Sequence, residues 1–378
     1  MKWTNKGHEY DQLGERFKSL TAIYLFGAGV HGKTVYEKYN GKIHIKGFID
    51  NNVSKHGGSF CGLPVLSPEN LSLDNDEAIV VSTQPSYVEG IRMQLYSLGF
   101  SYAYPMQQFF PVLDAYKYGE VCLSSVSFLP TTVCNLRCRY CLNFSPYVKE
   151  HQVRPLEQLV QDLDLLFSRI DTLLLLHISG GEPFTYPYLA ELVDHITARY
   201  GDKLGRLEMT TNGTVVPTEK LLTSMRNSGL YLTVDDYRDA LPQHHDKQGA
   251  ILELLEDSGV SYQILKADSW INLALFDHPK TLLSDEQLRE HFNNCSVPWQ
   301  EYRDGRLWLC NYSAYADIAG IVTSQDGEFF DINTLSTEDR LALVEFRLGY
   351  SEKGYTECCK RCSGFNNNLN AVPIAEQL

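Results

Sequence analysis

The chain has 378 residues, of which 43% are hydrophobic and 21% charged, and carries a formal net charge of −14. That length allows two or three domains with large cores; no apolar run approaches the eighteen residues of a membrane helix, and dispersed basic residues in an acidic chain exclude a nucleic-acid backbone as the expected partner. The opening residues Met1-Lys2-Trp3-Thr4-Asn5-Lys6 lack an apolar signal region, so neither membrane nor export is expected and the cytoplasm is the expected location.

In chain order, the first signal is an apolar strand at residues 23–26 running into Gly27-Ala28-Gly29-Val30-His31-Gly32 and then a helix over 33–39. A strand, a glycine turn and a helix N-terminus make an anion site, because glycine lets backbone approach a phosphate and the helix end offers unpaired N–H groups. A second strand at 45–49 ends in Asp50, twenty-three residues after Gly27, where an acid can bind ribose hydroxyls. A strand at 78–82, a helix at 87–98 and a short strand at 102–104 complete about half of a dinucleotide fold, which suits a mononucleotide moiety. With Gly47-Phe48-Ile49-Asp50-Asn51-Asn52 and Gly62-Leu63-Pro64-Val65, this region resembles the Rossmann-like N-terminal domain of bacterial nucleotide-sugar O- and N-acyltransferases. The resemblance covers about ninety residues and lacks the acyltransferase repeat half, so it implies a pocket for a sugar nucleotide at Gly27, Gly29, His31, Gly32 and Asp50, and not acyl transfer. A domain kept for packing or dimerisation is the alternative.

A β-rich run at 125–129 feeds into Thr131-Thr132-Val133-Cys134-Asn135-Leu136-Arg137-Cys138-Arg139-Tyr140-Cys141. Three thiolates at these spacings can reach three irons of one cuboidal cluster and leave the fourth iron open. A zinc site would want a fourth nearby ligand, and no fourth cysteine follows within twenty residues. After it, strand and helix patterns alternate: helices at 155–170, 188–200, 218–228 and 250–258, and strands at 173–178, 207–211, 230–234 and 262–266. Alternation of this kind implies a parallel sheet with its chemistry at the strands' C-terminal ends. The second strand ends in Ser179-Gly180-Gly181-Glu182-Pro183, the third in Thr210-Thr211-Asn212-Gly213, and the fourth in Asp235-Asp236-Tyr237.

The cysteine spacing, the aromatic Tyr140 before the last cysteine, and Gly180-Gly181-Glu182 one strand later resemble the radical S-adenosylmethionine (SAM) superfamily. The resemblance implies an open (β/α)6 partial TIM barrel and a [4Fe–4S] cluster on Cys134, Cys138 and Cys141 whose free iron binds SAM and cleaves it to a 5′-deoxyadenosyl radical. It also implies SAM contacts from Tyr140, Gly180, Gly181, Glu182, Asn212 and Asp235, with the glycine-glycine-glutamate motif at the SAM amino group. Lys266 or Arg238 are candidates for the SAM carboxylate or the substrate.

Near the C-terminus come Cys295, then Gly305-Arg306-Leu307-Trp308-Leu309-Cys310, then the pair Cys359 and Cys362. Four thiolates meet the needs of one fully ligated [4Fe–4S] cluster, with zinc as the chemical alternative. The layout resembles the twitch module, a shortened SPASM domain with one auxiliary cluster. Cys358 adjoins Cys359 and is a spare or a substitute; Cys61 and Cys122 receive no role. The expected domains are therefore 18–110, Rossmann-like; 120–292, radical SAM barrel; and 293–378, twitch-like, the tail after Cys362 being expected to pack over the cluster.

The expected activity is removal of a hydrogen atom from a carbohydrate, cyclitol or nucleotide-sugar carbon, oxidising an alcohol to a ketone with the auxiliary cluster as electron acceptor. Relatives with one twitch cluster include an aminocyclitol dehydrogenase, and a reductant such as flavodoxin or ferredoxin is implied. Sugar epimerisation, peptide maturation and a non-catalytic iron–sulfur scaffold are the alternatives. No acid or base is singled out by spacing among Asp236, Tyr237, Arg238, His244, His245 and Asp268.

Overall fold

A computed structural model describes residues 5–276, 283–295, 299–365 and 370–378. Two six-stranded sheets dominate it. The first has the order Ser59–Phe60, Leu63–Leu66, His44–Ile49, Ala22–Phe26, Glu77–Val81, Ala103–Pro105, parallel throughout except for the hairpin of its first two strands. Strand order therefore reverses beside Ala22–Phe26, the switch point where open α/β sheets place ligands. Ala22–Phe26 and Glu77–Val81 are buried along their whole length, as central parallel strands covered on both faces must be. Two helices that run past the ends of the expected 18–110 span join this core, Asp11–Ser19 and Met106–Leu113, with Phe17 and Phe109 at 4.5 Å between ring centroids.

The second sheet runs Ser261–Leu265, Tyr231–Asp235, Leu204–Thr211, Thr172–Ile178, then Cys122–Leu123 and Val126–Phe128 on the same neighbour, all parallel. The helices Leu156–Arg169, Leu189–Tyr200, Glu219–Ser228 and His245–Ser258 alternate with these strands, as the periodicity requires. Local signals set their ends: Thr218 Oγ1 accepts from Leu221 N–H at 3.2 Å at one terminus, and Gly229 closes the same helix at φ +65°. The barrel is open. Instead of a sixth parallel strand next to Ser261–Leu265, Trp270–Ile271 pairs antiparallel with Ala371–Val372 among the described residues.

The remaining chain closes the open side. A three-stranded antiparallel sheet, Tyr302–Arg303, Arg306–Trp308 and Phe329–Asp331, is joined to the barrel by a parallel bridge between Ser127 and Glu301. The helix Asn311–Ile318 lies between the second and third of these strands in the chain, with Cys310 at its N-cap. The last residues return to the cysteine loop: Cys138 bridges Gln377, Arg139 N–H donates to Glu376 O at 2.7 Å, and Leu378 N–H donates to Arg137 O at 2.8 Å. The final three residues thus lie against the loop of Cys134, Cys138 and Cys141, while the Asn366-Asn367-Asn368 turn lies outside the described residues. Among the described residues no helix is long and apolar enough to cross a membrane.

Candidate functional site

The cysteine loop leaves the strand Val126–Phe128 at the C-terminal edge of the barrel sheet and is held there by backbone. Gly181 N–H donates to Thr131 O at 2.9 Å, and Glu182 N–H donates to Val133 O at 2.8 Å. A Cβ on Gly181 would stand 2.3 Å from Val133 O and 2.6 Å from Thr132 O, so only glycine permits this approach. Asn143 ties the far end of the loop to the same turn, donating from Nδ2 to Gly180 O at 2.6 Å and to Ser179 Oγ at 3.2 Å.

The Sγ-bearing residues Cys134, Cys138 and Cys141 line one side of a cavity of about 390 Å3, a volume within the range of small-molecule sites. The same cavity is lined by Gly180, Gly181, Glu182, Asn212 and Asp235, with Asn212 Nδ2 3.8 Å from Cys134 Sγ, so strand ends far apart in sequence converge on the thiols. Burial pushes the Cys134 thiol up to about 12 and the Cys138 thiol up to about 11, so a metal bound here would have to displace their protons. Among the described residues no three of His, Cys, Asp and Glu are set to share one metal ion. Cluster thiolates each bind their own iron and stand further apart, so three thiols around one cavity fit the cluster's donor set.

Glu182, expected at the SAM amine, is also tied into the strand ends. Its Oε1 accepts from Thr211 Oγ1 at 2.7 Å and Phe184 N–H at 3.0 Å, and its Oε2 accepts from Asn212 N–H at 2.8 Å. These donors clamp the ends of two neighbouring strands together, while burial still lifts the carboxyl to about 7. Asn212 likewise serves the loop, its Nδ2 donating to Asn135 Oδ1 at 3.0 Å and its Oδ1 accepting from Thr214 N–H at 2.9 Å. Asp235 has more to offer a ligand: Oδ2 accepts from Tyr237 OH at 2.8 Å, and burial raises the carboxyl to about 6.

The other candidates divide clearly. Tyr237 lines the cavity beside Asp235, but Asp236 and Arg238 do not; they form a two-pronged ion pair with each other, Nε–Oδ1 2.9 Å and Nη2–Oδ2 2.8 Å. Lys266 is exposed and pairs with Asp239 at 2.7 Å, while His245 and Asp268 are exposed. Tyr140 lies on the other side of the loop, in a second cavity with Tyr147 and Phe276. Residues not foreseen as lining include His177, Trp299, Asn311, Tyr312 and Tyr315; the last four come from outside the barrel repeat, where no spacing rule points inward.

Cys295, Cys310, Cys359 and Cys362 surround a separate small pocket, joined by Cys358. The donor set suits a fully ligated cluster, and the free space of about 20 Å3 means that loading would spread these side chains. Tyr312 and Phe365, stacked at 5.6 Å, line both this pocket and the large cavity. The two thiol-lined cavities thus share these two aromatic residues.

At the glycine turn, Gly32 is required, since its Cβ would lie 2.1 Å from Gly27 O. A shallow cleft there is lined by Gly27, Asp50, Asn51, Thr83 and Gln94, but not by Gly29, His31 or Gly32. His31 turns toward the barrel: its Nδ1 is 3.3 Å from Arg206 Nη2, and burial beside that cation lowers its pKa to about 4. Asp50 is also committed to the loop, accepting from Ala28 N–H at 3.0 Å, Asn52 N–H at 2.8 Å and Lys55 Nζ at 2.8 Å.

Residues 128–261 match the radical SAM superfamily. This stretch is a radical SAM domain. The domain's cofactors are a [4Fe–4S] cluster and SAM. Protein YfkA of Bacillus subtilis strain 168 is 33% identical over 72 residues, 19% of this chain and 18% of that protein, so the match spans under a fifth of the relative. Among solved structures, BtrN in complex with AdoMet and 2-DOIA is 19% identical, covering 68% of this chain and 96% of that chain with a TM-score of 0.42. The structure of anSMEcpe with bound AdoMet is 15% identical, covering 61% and 81%, with a TM-score of 0.40. Streptococcus suis SuiB bound to S-adenosylmethionine is 16% identical, covering 47% and 38%, with a TM-score of 0.32. These scores are too low to transfer any residue role or substrate to the radical SAM domain described here.

Proposed function

We propose that this radical SAM enzyme removes a hydrogen atom from a hydroxyl-bearing carbon of a carbohydrate, cyclitol or sugar nucleotide and oxidises the alcohol to a ketone. The observation that carries the reading is a shared lining: Tyr312 and Phe365 border both the cavity of Cys134, Cys138 and Cys141 and the pocket of Cys295, Cys310, Cys359 and Cys362. When bound, the cofactors would supply a hydrogen-abstracting 5′-deoxyadenosyl radical in the first and a one-electron acceptor in the second.

In this reading the first three thiols hold the SAM-binding cluster and the other four hold an auxiliary [4Fe–4S] cluster. Asp235 would accept hydrogen bonds from the SAM ribose, the Gly180-Gly181 backbone would hold its amine, and Trp270, Trp299 and Tyr315, which line the same cavity, would keep water from the reacting carbon. Residues 18–110 present Gly27 and Asp50 to the nucleotide part of the substrate, residues 120–292 carry the SAM site and residues 293–378 the acceptor, with flavodoxin or ferredoxin as reductant.

The test is anaerobic incubation of the reconstituted, reduced chain with SAM and either UDP-glucose or myo-inositol in D2O, followed by mass analysis. A ketone two mass units lighter supports the oxidation. A product one mass unit heavier, with one deuterium bound at carbon and no loss of two hydrogens, makes the reaction an epimerisation and overturns it.

A further inference from the structure

The wall of the large cavity contains a buried hydrogen-bond chain that ends on a carboxyl. Ser127, Ser179 and Tyr315 line the cavity. The Tyr315 hydroxyl lies 2.7 Å from Ser127 Oγ, 3.2 Å from Ser179 Oγ and 2.8 Å from Glu301 Oε2. Behind it Glu301 has no solvent exposure, and its Oε1 has no hydrogen-bond partner among the described residues. The bridge between Ser127 and Glu301 fixes this carboxyl to the barrel's first strand, and the helix Asn311–Ile318 brings Tyr315 over it.

Each bond in this chain can reverse. With Glu301 ionised, Tyr315 donates to it and accepts from a serine; with Glu301 protonated, Glu301 donates and Tyr315 turns its proton toward the serines. A hydroxyl placed at Ser179 or Tyr315 could therefore lose its proton without either charge or water entering the cavity. His177 also lines the cavity, but its Nε2 is engaged by Thr210 Oγ1 at 3.0 Å and burial holds its pKa near 4.

We propose that Tyr315, backed by Glu301, is the proton outlet for the substrate hydroxyl. The inference rests on the alcohol-oxidation reading above. In that reaction the substrate C–H bond gives one hydrogen atom to the 5′-deoxyadenosyl radical and the substrate gives one electron to the iron–sulfur acceptor. As the O–H bond breaks and the C=O bond forms, the proton goes to Tyr315 Oη, directly or through Ser179, while the proton of Tyr315 passes to Glu301 Oε2. Tyr315 touches the substrate, and Glu301 acts through it as a positioning and proton-holding residue. The groups acting on Glu301 are Tyr315, Ser127 and, further off, the cations Arg154 and Arg303. Both cations are paired with Asp304, and Arg154 with Asp162 as well. Burial is the larger influence and lifts Glu301 to about 7, where a carboxyl can both take and return a proton.

The test uses the full reconstituted chain as wild type, E301Q and Y315F, with iron and sulfide counts confirming that each is folded and loaded. An infrared pH titration without substrate is expected to show protonated-carboxyl absorption lost through about pH 7 in wild type; the Glu301 component is absent in E301Q, where those of Glu182 and Asp114 remain, and it moves to higher pH in Y315F, which removes a donor to the carboxylate. In the coupled assay with UDP-glucose or myo-inositol, ketone formed per 5′-deoxyadenosine should fall by roughly 10²-fold or more in E301Q, with loss of the limb near pH 7. An E301Q titration identical to wild type, or an unchanged coupling ratio and pH profile, overturns the proposal. Failure of wild type to form 5′-deoxyadenosine would instead sink the radical oxidation and leave the titration to decide the outlet.

Discussion

Replacing Gly181 by alanine places a methyl group 2.3 Å from Val133 O and 2.6 Å from Thr132 O, both backbone atoms of the cysteine loop. Ordinary contact begins near 3.4 Å, so the loop must retreat by roughly 1 Å. Retreat stretches the two hydrogen bonds that join Gly181 and Glu182 to Thr131 and Val133. Overpacking costs about 1–3 kcal/mol and each weakened hydrogen bond about 1 kcal/mol, so G181A should lose roughly 3–5 kcal/mol of stability. The neighbouring G180A is the internal control: its Cβ meets Thr131 O at 3.3 Å, a contact the chain can relieve, and it should stay within about 1 kcal/mol of wild type. Urea unfolding of the two apo variants and iron counts after anaerobic reconstitution measure the difference. G181A should also retain only about four of about eight irons. If G181A unfolds at the wild-type urea concentration and binds full iron, the reasoning that backbone approach positions the cysteine loop is refuted.

Three further outcomes are expected. Gln377 Nε2 donates to Cys138 Sγ at 3.1 Å, so Q377A should lower the potential of the SAM-site cluster by about 40 mV for a hydrogen bond of about 1 kcal/mol, read by an EPR-monitored redox titration. C359A should lose the auxiliary irons while C358A keeps them; the reverse pattern would exchange the two thiols' roles. Asp114 is fully buried, accepts from Tyr39 OH at 2.7 Å and is lifted to about 7 by burial. Because its folded pKa is raised, its stabilising contribution is complete below its ordinary value near 4 and is lost as pH rises through 7. D114N should therefore flatten that loss and be more stable than wild type at pH 8, by up to a few kcal/mol, in thermal or urea unfolding.

Residues whose placement depends on local pattern were legible in the sequence. The strand–glycine–helix run at Gly27, the parallel alternation from residue 156 to 265, and the convergence of Cys134, Cys138 and Cys141 with Gly180, Gly181, Glu182 and Asp235 all follow from periodicity and from the rule that ligands gather at strand C-termini. Residue types alone could not say which way a committed side chain turns. Glu182 spends its carboxylate on Thr211, Asn212 and Phe184, His31 faces Arg206 across the two sheets, and Asp236 satisfies Arg238. Each such partner is remote in sequence or hidden in a turn. Glu301 and Tyr315 were illegible for a related reason. They belong to the segment that closes the open barrel, where Trp270–Ile271 pairs with the chain's end and no repeat fixes the inward positions.

The most direct measurement of the central claim is recovery of 5′-deoxyadenosine from the anaerobically reconstituted, dithionite-reduced chain supplied with SAM. The account predicts its formation, and its loss when Cys134, Cys138 or Cys141 is replaced by alanine. A chain carrying its full iron that yields no 5′-deoxyadenosine would contradict the account and leave an iron–sulfur scaffold in its place.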